Sequence, residues 1–183
     1  AGAAVDLRDN DWLETALIVA SWHGYTNIVK MLLDAAADVN QTDKHGRTAL
    51  TVASSRGWVA TVRALLYAGA DVEEGQDVCS RTPLHVACHN GRHHRHLECV
   101  QLLSSYNASR TVWFSRERGN GVTAESVATE RGHTEIVEWL ASTRLWSTPL
   151  HHVSVIDSRF TRDMLRGGAD IHAAAFEWAT ARE

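Results

Sequence analysis

The chain writes one phrase several times over. It runs ETALIVASWHG from Glu14, RTALTVASSRG from Arg47 and RTPLHVACHNG from Arg81, then VTAESVATERG from Val122 and STPLHHVSVID from Ser147. From Thr15 to Thr48 to Thr82 it recurs about every 33 residues, and a fixed period of that size marks a stacked array, not a single globular core. In the first four copies a glycine follows at constant distance: Gly24, Gly57, Gly91 and Gly132. A second apolar phrase follows each glycine, namely NIVKMLL, ATVRALL, ECVQLLS and EIVEWLA. Three copies then close on a common tail: AAADVN at 35–40, YAGADVE at 67–73 and RGGADIH at 166–172.

Each copy reads as a helix, a turn at the glycine, a second helix and an extended finger. The threonine suits an N-cap, where its hydroxyl satisfies an orphan backbone N–H. Proline directly after it, in TPLH at 82–85 and 148–151, is tolerated because no intrahelical partner awaits its missing N–H. Leu17, Leu50, Leu84 and Leu150 are expected to form one buried column, and Leu32, Leu65, Leu102 and Leu140 a second. A lone copy cannot bury such stripes, whereas stacked copies make a continuous core.

The threonine-proline-leucine-histidine phrase, the turn glycine and the glycine-alanine-aspartate tail together resemble the ankyrin repeat, over essentially the whole chain. The resemblance implies an all-α solenoid of stacked helix-turn-helix units with short β-like fingers. It divides residues 1–183 into a partial repeat at 1–10, repeats near 11–43, 44–77, 78–118, 119–143 and 144–173, and a degenerate or partial one at 174–183. The tail-like GAAVDLRD at 2–9 and the absence of an initiating methionine read as a fragment or a processed product. In the family, the histidine of TPLH ties neighbouring copies together, so His85 and His151 are expected to be structural.

Composition narrows the function. A net charge of -4 offers no overall basic field for nucleic acid or an anionic membrane. No apolar run is long enough to span a bilayer. Three cysteines suggest a reducing, intracellular setting, the cytoplasm first and an organelle interior second. There is no phosphate loop, no nucleophile elbow and no helical zinc-protease motif. The expectation is therefore no enzyme, no cofactor and no catalytic residue.

Departures from the repeat carry the functional candidates. CHNGRHHRHLEC at 88–99 holds ligand types that suit zinc or copper. Alignment puts Cys88 in the column of Ser21, Ser54 and Thr129, and Cys99 in that of Ile28 and Ile136, so both read as core. The RHHRH stretch reads as an exposed loop, an insertion that either touches a partner or does nothing. The finger at 107–121 is long and carries Trp113 and Phe114 among Arg110, Arg116 and Arg118, the composition of an interface hot spot. Between Ala141 and Thr148 the fourth copy lacks its finger, which should leave a notch there. The paired acids Glu73 and Glu74 read as merely solvated.

The resemblance implies protein binding through fingertips and the inward face of the first helices. Carried over by position, the fingertips offer Asp11, Trp12, Glu14, Lys44, His45, Arg47, Val78, Cys79 and Arg81. The inward face offers Trp22, His23, Ser55, Arg56, His89, Asn90, Glu130 and Arg131. The leading expectation is a scaffold or adaptor for a protein partner, as an accessory subunit of a larger complex, with no nucleic acid and no membrane insertion. A second is metal-dependent assembly or sensing through the histidine loop 89–96. A third is modification at Asn40, in ADVN, where some ankyrin repeats are hydroxylated.

Overall fold

The computed structural model describes residues 5–74, 81–110, 113–114 and 121–143, with positions 113, 114 and 121 known by their backbone. Eight helices appear among these residues, in consecutive antiparallel pairs: α1 Ala16–His23 with α2 Thr26–Asp34, and α3 Ala49–Arg56 with α4 Val59–Tyr67. The later pairs are α5 Pro83–His89 with α6 His94–Ser105, and α7 Ala124–Glu130 with α8 Thr134–Ser142. First helices stack on first helices, α1 on α3 on α5 on α7, and second on second, α2 on α4 on α6 on α8. This is the all-α solenoid that the phrase period implies.

Local chemistry sets the helix starts. The hydroxyls of Thr15, Thr48 and Thr123 accept from Ile18, Thr51 and Ser126 N–H, and Ser126 returns the bond in a capping box. Thr82 differs: its hydroxyl lies 2.8 Å from His85 Nδ1, so this side chain supplants the cap bond while Pro83 opens the helix. His85 is buried, in keeping with a structural role. Helices α1 and α3 stop where Gly24 (φ 72) and Gly57 (φ 69) enter the left-handed region that glycine reaches without strain.

Three of the turn glycines are roofed by a ring from the next pair. The Trp58 ring covers Gly24, His96 covers Gly57, and His133 with Ile136 covers Gly91. The ring N–H groups form a ladder of bonds to the first-helix carbonyl two residues before each glycine. Trp58 Nε1 donates to Trp22 O at 3.1 Å, and Nε2 of His96 and of His133 reach Ser55 O at 3.3 Å and His89 O at 3.2 Å. The fingers are stitched the same way: Asp71 N donates to Asn40 Oδ1 and Asp38 N to Asp6 Oδ1, both at 3.0 Å. Glu73 takes the next rung, accepting from Ser109 N, so it is a structural acid and not merely a solvated one.

The core follows the leucine stripes, with one correction. Leu17, Leu50 and Leu84 are buried, while Leu150 lies outside the described residues. In the second column the partner of Leu65 and Leu140 is Leu103, not Leu102, because each stands three residues before its helix's C-cap at Ala68, Tyr106 and Thr143. Leu102 is buried too, in the column of Met31, Ala64 and Trp139. Leu32 is only partly buried. On the first pair the face toward the chain start is open: Val19, Tyr25, Ile28 and Met31 are exposed. Their counterparts Val52, Thr61 and Ala64 are buried under that pair.

The histidine stretch is corrected as well. It is not an exposed loop, because His94–Ser105 is helical and runs to 12 residues, whereas α2, α4 and α8 have 9 each. The extra residues extend the helix by about one turn of 3.6 residues, which leaves its apolar face in register. His96 is consequently 5% exposed, while His93 and His94 stay at the surface.

Candidate binding surface

The first helices end in a row of side chains: Trp22 and His23, Ser55 and Arg56, His89 and Asn90, Glu130 and Arg131. Six of these, Trp22, Ser55, Arg56, His89, Asn90 and Arg131, come together in the wall of one open hollow of about 580 Å³. Helix α6 with its preceding turn adds Arg92, His93 and His96. His133 closes the far side from the turn before α8. Sequence columns pointed to the helix-end residues and the insertion to Arg92 and His93, whereas His133 follows its turn glycine as Tyr25 and Trp58 follow theirs, at a position whose residue type changes from copy to copy.

Bonds across the hollow join three helix pairs. The Arg131 guanidinium donates to His89 Nε2, and since a guanidinium cannot accept, this imidazole nitrogen carries no proton. His89 Nδ1–H then points to Asn90 Oδ1 at 3.1 Å, and Asn90 Nδ2 donates to Ser55 O at 3.1 Å. His96 donates to the same carbonyl. Burial first, then the nearby His93 and His133, pull the His96 pKa below its usual 6.5, against the opposing bonds to Ser55 and His93. The Arg56 guanidinium stands 3.8 Å over the Trp22 ring, and Arg47 lies 5.5 Å from the same ring.

The fingertips form a second cluster. Trp12 is exposed at the fingertip. The Lys44 ammonium lies 3.3 Å over its ring, and the His45 ring is tilted against it at 5.6 Å. Arg47 is committed to the scaffold: it pairs with the buried Asp43 carboxylate at 2.6 Å and with Glu14 at 3.7 Å. That carboxylate also accepts from the backbone N–H groups of His45 and Arg47. Arg81 is half-buried just before α5, His23 is exposed and stacks on Tyr25, and Glu130 is exposed beside the hollow without lining it. Val78 and Cys79 lie outside the described residues.

The long finger gives less. Trp113–Phe114 pairs antiparallel with Gly121–Val122, so this finger is a β-hairpin. The side chains of Trp113 and Phe114, and all of Arg116 and Arg118, lie outside the described residues. Arg110 turns inward, donating to Thr143 O and Oγ1 at 2.9 Å under the Trp139 ring, and burial lowers its pKa. It anchors this finger to the end of α8. Most of the fingerless connection after Ser142, and the notch expected there, falls outside the described residues.

The metal reading finds no support. Cys88 and Cys99 are fully buried free thiols, each pushed up to about 12 by desolvation, so neither supplies a thiolate. Among the described residues no group of histidine, cysteine and carboxylate side chains is arranged to hold a metal ion. Nor, among them, is any helix long and apolar enough to cross a membrane.

Stacked helix pairs, glycine turns and stitched fingers define a repeat solenoid, a class whose members present extended surfaces to partners. The family model described as ankyrin repeats (3 copies) matches residues 1–76 and 72–149, and the chain belongs to the ankyrin-repeat family. Ankyrin repeats are in general protein–protein interaction modules, and typically not enzymes. No curated protein matches the chain.

Proposed function

We propose that the chain is a non-enzymatic scaffold or adaptor that holds a protein partner through its fingertips and the inward ends of its first helices, as an accessory subunit of a larger assembly. The reading rests on one observation: Trp22, Arg56, His89, Asn90 and Arg131, drawn from consecutive helix pairs, meet in a single hollow. Tryptophan and arginine are the residues that dominate binding energy at protein interfaces. Here Arg56 and Arg131 are exposed, and Trp22 is half-buried beneath Arg56, on a framework bonded from one helix pair to the next. The tilted Trp12–His45 pair under Lys44 extends the same chemistry to the fingertips.

Proximity labelling in the native organism tests this, comparing the unaltered chain with Arg131→Glu, a change at an exposed side chain. A reproducible set of labelled proteins that disappears in the variant, with circular dichroism unchanged, is the expected result. The same set in both would refute a role for this surface.

A further inference from the structure

We infer that the hollow along the ends of the four described helix pairs docks an extended acidic segment of the protein partner, a run of aspartate or glutamate side chains. The inference rests on the protein-binding reading above and adds the chemistry of what is bound.

Charge is the first argument. Arg56, Arg92 and Arg131 line the hollow with His89, His93 and His133, and its wall contains no carboxylate. Yet acids outnumber bases over the whole chain, 22 to 18. An acid-free hollow carrying three arginines is thus a local reversal of the average surface. Arginine is also the cation best shaped to grip a carboxylate, through two parallel N–H donors.

Preparation is the second. The Arg131 guanidinium is held on His89, which is held by Asn90, which is held by Ser55 O. A guanidinium has five N–H donors, so this anchoring uses a minority of them. Arg56 lies over the Trp22 face, which fixes its plane and leaves its edge for a ligand. Side chains already ordered lose less entropy when a partner arrives.

Extent is the third. The wall draws on α1, α3, α5, α6, the C-cap of α7 and the turn before α8, so the cations are spread along the stacking direction. A lone small anion would engage one arginine, whereas an extended chain with repeated carboxylates meets all three. A nucleic acid fits less well: the Trp22 face is already taken by Arg56, so a base finds no stacking platform there. The net charge of -4 also opposes a long polyanion more than a short acidic run.

The test uses the full chain and a fluorescein-labelled peptide of alternating glutamate and glycine, read by anisotropy. A glutamine–glycine peptide and a matched single-stranded oligothymidine serve as comparison probes. Saturable binding of the glutamate peptide is expected, weakened at least about tenfold by Arg56→Ala with Arg131→Ala. Arg92→Glu, at another exposed side chain, should give a similar loss by charge reversal. Lys30→Ala, at an exposed lysine of α2 that does not line the hollow, should change nothing. Equal binding to the arginine variants, or equal binding of the glutamine peptide, overturns the inference. Oligothymidine bound as tightly as the glutamate peptide overturns it too, marking a general polyanion surface. Absence of glutamate-peptide binding also overturns it, while the labelling comparison above would still stand or fall by itself.

Discussion

Adding a single methyl group at three glycines separates two effects that usually act together, backbone strain and ring contact. Gly24 carries both: φ is 72, and an added Cβ would lie 2.6 Å from Trp58 Cδ2. Gly69 carries strain alone, with φ 84 and nothing within 4 Å, and the corresponding position after α2 already holds Ala36 at φ 62. Gly91 carries contact alone, 2.5 Å to Ile136 Cδ1 and 2.9 Å to His133 Cδ2, without a left-handed φ. Left-handed backbone costs alanine about 1–2 kcal/mol, offset by about 0.4–1 kcal/mol from a stiffer unfolded chain, so Gly69→Ala should lose only about 1 kcal/mol. Gly24→Ala adds overpacking of about 1–3 kcal/mol and the bond from the Trp58 ring to Trp22 O, worth about 1 kcal/mol, for a total near about 4 kcal/mol. Gly91→Ala falls between at about 2 kcal/mol, since Ile136 can swing its tip aside but the His133 ring is tied to His89 O. Urea unfolding monitored by far-ultraviolet circular dichroism measures all three. Repeating Gly24→Ala in a Trp58→Leu background should remove its excess over Gly69→Ala. Equal losses at Gly24 and Gly69, within about 0.5 kcal/mol, would refute the ring-roof account, as would an excess that survives without Trp58.

Three further outcomes follow from the geometry. Asp43→Ala leaves Arg47 only its longer pairing with Glu14 and three N–H donors without their carboxylate; a loss of about 3 kcal/mol is expected in urea unfolding, and a loss under about 1 kcal/mol would contradict the assigned pairing. The lowered pKa of His96 means that the unfolded chain takes up this proton first as pH falls. Stability is then full above 6.5, the ordinary value, and declines from there toward the lowered folded value, a slope that His96→Gln should flatten. An equal slope in both would show that other groups carry the pH dependence. Cys88 and Cys99 should resist thiol reagents until denaturant is added, and a chelator should leave the melting temperature unchanged. Reaction of either thiol in the folded chain, or melting lowered by the chelator, would reopen the metal reading.

The repeat was legible because its signals are local. A threonine caps within one turn and a glycine reverses the chain within two residues, so spacing alone fixed the helix pairs. Cys88 and Cys99 were readable as core for the same reason, each inheriting the column of its neighbours. What could not be read was the fate of an insertion. RHHR serves equally as loop or as added helical turn until packing decides, and burial of His96 against Gly57 decided for the helix. Arg110 and Glu73 look like free surface charges in sequence, and only the approach of Thr143 and Ser109 from the next unit reveals them as ties. The hollow was half visible. Its helix-end residues repeat with the period, while Arg92 and His133 follow turn glycines at a position whose residue type changes from copy to copy, and His93 belongs to the insertion.

The ring ladder also gives the molecule a mechanical character. Its joints stand in series, so under load the array bends first at whichever joint is softest. The joint between the first two pairs is held by the indole of Trp58 and a hydroxyl contact from Thr26 to Thr61, neither of which changes its charge with pH. The next two are held by imidazoles, those of His96 and His133. The hollow runs past all three joints, from Trp22 in the first pair to Arg131 and His133 in the fourth. A partner that fills it acts as a splint: it locks the curvature of all four described pairs at once.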